Sequence, residues 1–145
     1  MTQTHRTHIT RHPGVAGLET VEDGLADNGV PPALRHLIKL RVSQINGCAL
    51  CVRMHSREAR DDGETQARLD DLVVWRQVPS FTAPERAALA WAEALTTRGG
   101  GAALAGLHGD LEAHFGKEDI AALTMMVVMI NSWNRLQIAV HNTTF

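Results

Sequence analysis

The sequence is poor in aromatic residues and in unbalanced charge: it has three tryptophans, three phenylalanines, no tyrosine and a formal net charge of −2 over 145 residues. Proteins that stack bases on their surface use aromatic side chains, and nucleic-acid-binding domains usually carry a strongly basic face. We therefore expect no nucleic-acid partner. At this length the expected organisation is a single globular domain.

The sequence also lacks an export signal and a membrane-spanning segment. The opening residues, MTQTHRTHITRHPG, contain no apolar run of the kind that secretory signals need. The longest uncharged stretch covers residues 120–134, and its apolar part, IAALTMMVVMI, is too short to cross a bilayer and is typical of a buried helix. We expect a cytoplasmic protein with no membrane partner.

Strand patterns are nearly absent, whereas helical patterns recur along the chain. The sequence predicts an all-α, compact single-domain bundle of six or seven helices over residues 16–145, after a polar arm at residues 1–15. The last helix, predicted over 117–140, is apolar on nearly every side from Ile120 to Ile130. It should therefore be the central helix of the core or part of a subunit interface.

Local features predict where the other helices begin and end. Pro31-Pro32 begins a helix that Asn46-Gly47 stops, and a second helix should run from about Cys48 to Arg60. Thr82 and Glu85 have the spacing of a capping box, which begins another helix.

Between and after these helices the predictions are less regular. A short helical segment should place three apolar side chains on one face: Leu69, Leu72 and Val73. The glycine-rich stretch RGGGAALAG is predicted to be a flexible connector, followed by a short helix over residues 109–115. Trp75 and Trp91 are expected to be core residues rather than substrate contacts.

The only two cysteines, Cys48 and Cys51, stand three residues apart, and His55 follows four residues later. Helical spacing places these three side chains on one face. A thiol at the start of a helix favours the thiolate, a histidine one turn away can take a proton, and a second thiol can convert a sulfenic acid to a disulfide. The segment therefore contains the minimum set for nucleophilic cysteine chemistry.

Two other interpretations of these residues stay open. Cys48, Cys51 and His55 could bind zinc with a fourth ligand elsewhere, for which His36 is the obvious candidate. Structural zinc sites, however, usually use two separate ligand pairs, and no second pair is present. Alternatively, the two cysteines are simply buried beside a solvated histidine.

The motifs SQINGCALC…MH and INSWNR resemble the carboxymuconolactone decarboxylase superfamily, in its alkylhydroperoxidase D-like (AhpD-like) branch, over roughly residues 17–142. The resemblance implies an all-helical fold, homo-oligomers such as trimers or hexamers, and peroxidase activity through the cysteine pair. It implies that Cys51 is the peroxidatic nucleophile, Cys48 the resolving cysteine and His55 part of the proton relay. No cofactor is expected.

One position departs from the pattern of that branch. Its relay often has a glutamate twelve residues before the first cysteine, where this sequence has His36. A neutral His36 could donate a hydrogen bond but would not supply the charge of a carboxylate. Glu58 and Glu64 are possible substitutes, but we expect both to be solvated helix-surface charges. Asn131 and Asn134 are expected to make interior hydrogen bonds rather than to line the active site.

These arguments favour a thiol-dependent peroxidase that reduces organic hydroperoxides or hydrogen peroxide and is restored by an external dithiol or thiol protein. The alternatives are a disulfide oxidoreductase without peroxide specificity, a zinc-binding or structural oligomer, and a decarboxylase-like activity on the same fold. The decarboxylase remains an alternative because that superfamily includes a decarboxylase that needs no cysteine pair, so fold alone does not decide activity.

Overall fold

The computed structural model describes residues 12–26 and 29–140. These residues form no strand and fold into seven α-helices: α1 Pro13–Gly24, α2 Pro32–Asn46, α3 Ala49–Asp61, α4 Gln66–Asp71, α5 Ala83–Thr96, α6 Gly101–Glu112 and α7 Lys117–Val140. A 3-10 turn, Leu72–Val74, follows α4. The predictions of an all-α fold and of six or seven helices are confirmed.

The turn between α2 and α3 sets the position of the cysteine motif. Gly47 ends α2 with a φ of 70°, in the left-handed region that favours glycine. The N–H groups of Gly47 and Cys48 donate to the carbonyls of Gln44 and Ser43, at 3.2 and 3.1 Å. The chain therefore reverses within one residue, and Cys48 becomes the N-cap of α3.

The predicted capping box at the start of α5 is present. The Thr82 N–H donates to Glu85 Oε2 at 2.7 Å, and the Glu85 N–H donates to Thr82 Oγ1 at 3.4 Å. Both bonds are local, between residues three apart, so the sequence alone was enough to locate this helix start.

The prediction of a flexible glycine-rich connector was wrong. Helix α6 begins at Gly101, within that stretch, and ends at Glu112, so the short helix predicted over 109–115 is only its last part. Leu104, Leu107 and Leu111 of α6 pack against the core. Burial of these side chains outweighs the low helix propensity of the glycines.

The prediction that Val73 shares a buried face with Leu69 and Leu72 was also wrong. Leu69 and Leu72 are buried, but 57% of Val73 is exposed. The helix tightens to a 3-10 turn at Leu72, and with three residues per turn the following side chain leaves the buried face.

Helix α7 lies against α2 and α5 at the centre of the domain. Its buried residues join those of α2, α5 and α6 in one apolar core: Leu34, Ile38, Val42, Ala88, Trp91, Ala92, Leu111, Ile120, Leu123, Met126, Val127 and Ile130. One side of α7 stays outside this core, since Met125 is 42% and Val128 49% exposed. Trp75 and Trp91 are buried, as predicted.

Helix α1 is packed less deeply than the others, with no fully buried residue. It begins at Pro13, so the boundary predicted after residue 15 falls inside it, and residues 1–11 of the predicted arm lie outside the described part of the chain. None of the helices in the described part is both long enough and apolar enough to cross a membrane.

Candidate active site

The two cysteines sit at the start of α3 and form a disulfide, with their Cα atoms 5.3 Å apart. Cys48 is the N-cap, and its sulfur accepts a hydrogen bond from the Cys51 N–H at 3.3 Å. Each residue is only 2% exposed. When the pair is reduced, both sulfurs lie at the positive end of the helix dipole, which favours the thiolate.

His55 lies one helical turn after Cys51 and is 5% exposed. Its Nδ1 is 2.8 Å from Glu58 Oε2. Because an ionised carboxylate only accepts hydrogen bonds, Nδ1 carries the hydrogen, and Nε2 of the neutral ring is the basic nitrogen. Burial lowers the pKa of His55; Glu58 opposes this, whereas Lys39 and His36 add to it. The site therefore favours a neutral imidazole.

A pocket of about 290 Å³ opens beside the cysteine pair. Cys51 and His55 line it, but Cys48 does not. Most of the remaining wall is apolar, and its other residues are Glu22, Lys39, Leu50, Met54, Glu58, Ile130, Trp133 and Gln137. A molecule in this pocket would contact Cys51 and not Cys48.

The wall opposite α3 contains charged residues that sequence reasoning missed. Lys39 of α2 donates a hydrogen bond to Glu22 of α1, and the second oxygen of Glu22 lies 3.3 Å from the indole nitrogen of Trp133 in α7. These residues are far apart in sequence, so no local spacing could have indicated the pair. One local feature did indicate Lys39: it follows the predicted relay position, His36, by three residues and therefore lies on the same side of α2.

His36, the residue predicted at the relay position, lies outside the pocket lining. Its Nε2 is 2.6 Å from Asp62 Oδ2, on the turn after α3. Among the groups that shift the pKa of His55, His36 has the weakest influence. The structure thus brings Cys48, Cys51 and His55 together and places His36 with a different partner.

The expectation that Glu64 is a solvated surface charge was wrong, and Glu58, although 44% exposed, makes a contact that was not expected. Glu58 bonds to His55 and lines the pocket. Glu64 is largely buried and accepts a hydrogen bond from Arg68 Nε at 2.9 Å. The spacing of Glu58 three residues after His55 would have predicted the first contact, had both residues been considered together.

The described residues contain no group of three or more histidine, cysteine or acidic side chains arranged to hold a metal ion. The zinc interpretation needed His36 beside the cysteines, whereas His36 is bonded to Asp62.

An amide network lies behind the cysteine turn, as predicted for Asn131 and Asn134. The side-chain N–H₂ of Asn46 donates to Asn131 Oδ1 and Asn134 Oδ1, at 3.0 and 2.9 Å. Asn134 in turn donates to Ser43 Oγ at 3.0 Å. Neither Asn131 nor Asn134 lines the pocket. The network ties the end of α2 to α7 and so holds the turn that presents Cys48.

Comparison with known proteins agrees with this arrangement. The sequence profile of the carboxymuconolactone decarboxylase family matches residues 15–94, more than half of the chain, including the cysteine motif. The uncharacterised protein YdfG of Bacillus subtilis (strain 168) is 39% identical over 108 residues, which cover 74% of each chain.

Two solved structures share the fold. ATU0492 of Agrobacterium tumefaciens, a protein of unknown function assigned provisionally to AhpD antioxidant defence, is 33% identical and superposes with a TM-score of 0.90 over 98% of this chain and 99% of its own. The AhpD core of a peroxidase-related protein from Ralstonia eutropha JMP134 is 20% identical, with a TM-score of 0.77 over 91% and 71%. The chain therefore belongs to the carboxymuconolactone decarboxylase family and has the AhpD-like fold.

Proposed function

We propose that this protein is a thiol-dependent peroxidase in which Cys51 attacks the peroxide, His55 handles the proton and Cys48 resolves the product. The observation that carries the proposal is the position of the pocket: Cys51 and His55 line the same space, and Cys48 does not line it. A nucleophile and a base facing one cavity are what the first step requires. The similarity to ATU0492 supports the same chemistry.

The reaction starts from the reduced pair. The Cys51 thiolate attacks the distal oxygen of the hydroperoxide, so a sulfur–oxygen bond forms, the oxygen–oxygen bond breaks, and the leaving alkoxide takes a proton to become an alcohol. Cys48 then attacks the sulfur of the Cys51 sulfenic acid; the disulfide forms and water leaves. An external dithiol or thiol protein returns two electrons by disulfide exchange.

His55 fits the proton steps. Its neutral ring, with Nδ1 bonded to Glu58, can take the thiol proton at Nε2 and pass it to the leaving oxygen. Because burial lowers the pKa of His55, the neutral base persists to lower pH than in a solvated histidine.

The volume of the pocket favours a peroxide larger than hydrogen peroxide. Its volume of about 290 Å³ far exceeds the ~30 Å³ that one water molecule occupies in the liquid. Hydrogen peroxide, only slightly larger than water, would leave most of the apolar wall without contacts. We therefore propose organic hydroperoxides with an apolar body as the preferred substrates.

The test uses the two single-cysteine variants as matched controls for each other. Reduced wild-type protein treated with one equivalent of cumene hydroperoxide should lose two thiols and gain one disulfide by mass spectrometry. Cys48→Ser should accumulate a dimedone-reactive sulfenic acid on Cys51, and Cys51→Ser should react slowly and form none on Cys48.

Each other outcome contradicts part of the proposal. A sulfenic acid on Cys48 in Cys51→Ser, with none on Cys51 in Cys48→Ser, would reverse the roles. If the thiols do not react with the peroxide but exchange rapidly with a disulfide probe, the protein is a disulfide oxidoreductase and not a peroxidase.

We further propose that the protein is a homo-oligomer, a trimer or hexamer. Met125 and Val128 form an exposed apolar face on α7, and contact between subunits would cover it. Light scattering at micromolar concentration measures the assembly, and a monomer at that concentration would contradict it.

A further inference from the structure

Helix α2 contributes a lysine to the pocket that Cys51 lines. Lys39 lines the pocket that Cys51 and His55 also line, and its ammonium group is held by Glu22. Glu22 is fixed in turn by the indole N–H of Trp133, at 3.3 Å. Helices α1, α2 and α7 thus contribute Glu22, Lys39 and Trp133 to one hydrogen-bonded group in the pocket wall, and Lys39 is its cation.

Other charges around the pocket are few. Among the described residues that line it, the charged or titratable groups besides Lys39 are Glu22 from α1 and Cys51, His55 and Glu58 from α3, while α7 contributes only uncharged residues. His36 lies on α2, one turn before Lys39 and outside the lining. Lys39 is therefore the one permanently positive group in the described lining at neutral pH.

We propose that Lys39 is a positioning residue for the peroxidase reaction: its charge, held in place by Glu22, stabilises the Cys51 thiolate and makes the protonated His55 a better proton donor to the leaving oxygen. This rests on the proposed function, since it concerns the protonation states from which Cys51 attacks. A nearby cation stabilises a thiolate, so Cys51 loses its proton more readily. It also disfavours an imidazolium, so His55, once it has taken that proton, releases it more readily to the leaving oxygen.

Glu22 carries the opposite charge to Lys39, and the two residues stand in different relations to His55. Lys39 is among the groups that lower the pKa of His55, after burial, whereas Glu58 is the carboxylate that raises it. Glu22 shares its two oxygens between Lys39 and Trp133, on the wall away from α3. Glu22 thus anchors Lys39, and both residues line the pocket beside Cys51.

The chain offers a matched control, because Lys39 and Lys117 are its only lysines. Lys117 is exposed at the start of α7. The measurement is the rate of iodoacetamide alkylation of Cys51 against pH, in a Cys48→Ser background that leaves one thiol. Each variant is first checked for an unchanged urea midpoint, so that a shifted profile reports charge rather than unfolding.

We expect Lys39→Met to move the midpoint of the profile to higher pH and to slow alkylation near pH 6 by about three- to tenfold. Lys39→Arg, which keeps the charge, should restore most of the parental profile, and Lys117→Met should leave it unchanged. Glu22→Gln should move the midpoint the other way, to lower pH, because it removes the opposing charge while the amide oxygen can still accept from Lys39 and hold it in place.

Loss of the two opposite charges should move the midpoint of the alkylation profile in opposite directions. Loss of packing alone would not do so. Superimposable profiles for Lys39→Met and its parent, or shifts of the same sign in both variants, would overturn the proposal. Because alkylation needs no peroxide, a shifted profile in a protein that fails to react with cumene hydroperoxide would retain the effect of Lys39 on Cys51 and reject only the peroxidase.

Discussion

Two ion pairs on α2, made by residues two positions apart, differ in what surrounds them. Arg41 Nε donates to Glu93 Oε1 at 2.7 Å, and Glu93 also accepts from Trp75 at 2.9 Å and from Arg76. Burial raises the pKa of Glu93, but these three donors outweigh it and lower the pKa overall. On another face of α2, Lys39 and Glu22 border an open pocket beside Cys51.

The difference indicates that one ion pair acts on stability and the other on reactivity. The oxygens of Glu93 are occupied by protein donors and border none of the reacting groups, so Glu93 should matter for folding and little for chemistry. The pocket charges face space that a substrate can enter, so their effects should appear in rates and pH profiles. Four variants test this division, from the largest expected effect to the smallest.

The largest effect should come from His55→Gln. Glutamine can still donate to Glu58 but cannot accept the thiol proton, so the rate of peroxide-dependent thiol loss should fall about 10²–10³-fold, or about 3–4 kcal/mol. Stopped-flow thiol titration measures it.

The matched control for this variant is His108→Gln, on the exposed surface of α6. It should react at the parental rate. If both histidine variants react at the parental rate, His55 does not act as the base.

Glu93→Gln should act on stability instead. It leaves the guanidinium of Arg41 half-buried without its counter-charge and should cost about 2–4 kcal/mol of unfolding free energy. Urea unfolding of the oxidised protein should show a lower midpoint with the same slope, while the folded fraction keeps the parental rate of thiol oxidation.

Glu112→Gln, at an exposed position on α6, should stay within about 0.5 kcal/mol of the parent. A Glu93→Gln protein that is fully stable but slow with peroxide would contradict the division between the two regions.

The fold was predictable wherever neighbouring residues decide it. The left-handed glycine after Asn46 and the capping box at Thr82 act over three or four residues, and both were predicted from sequence. Helix α6 could not be predicted in this way, because Leu104, Leu107 and Leu111 gain their stabilisation from distant helices and override the preference of the glycines.

The same limit applies to the candidate site. Cys48, Cys51 and His55 lie on one helix, so their spacing was enough to bring them together. The opposite wall joins Glu22, Lys39 and Trp133 from three helices, and only the packing of α1 and α7 against α2 creates it.

Glu58→Gln should have a smaller effect, because the side chain of Glu58 is 44% exposed. Burial lowers the pKa of His55 and Glu58 raises it, so removal of the carboxylate should lower it further. The neutral base then persists to lower pH, and the acid limb of the rate–pH profile for thiol oxidation should shift to lower pH, by the equivalent of at most about 1 kcal/mol.

The pH dependence of folding stability tests the direction of the His55 pKa shift independently. His55 binds a proton less readily in the folded than in the unfolded protein, so stability is lost as pH falls below 6.5 towards the lowered folded pKa. The loss should be greater in Glu58→Gln and reduced in His55→Gln. An acid limb that moves to higher pH in Glu58→Gln would show that Glu58 does not act through His55.

The smallest effect should come from His36→Ala. His36 would govern the site if it replaced the relay carboxylate, but its ring is bonded to Asp62 and does not line the pocket. Among the groups that shift the pKa of His55, its influence is the weakest. Loss of the contact with the exposed Asp62 should cost no more than about 0.5 kcal/mol.

The alkylation profile of Cys51 in His36→Ala should therefore match that of the parent within about twofold at every pH, since twofold corresponds to roughly 0.4 kcal/mol. Asp62→Asn is the matched variant, because it removes the charge that His36 contacts without touching α2. The profile of His36→Ala could instead shift as much as that of Lys39→Met while the profile of Asp62→Asn stays unchanged. That result would show that His36 belongs to the relay and has at least as much influence on Cys51 as Lys39. Superimposable profiles would leave Lys39 as the residue of α2 that sets the charge at Cys51.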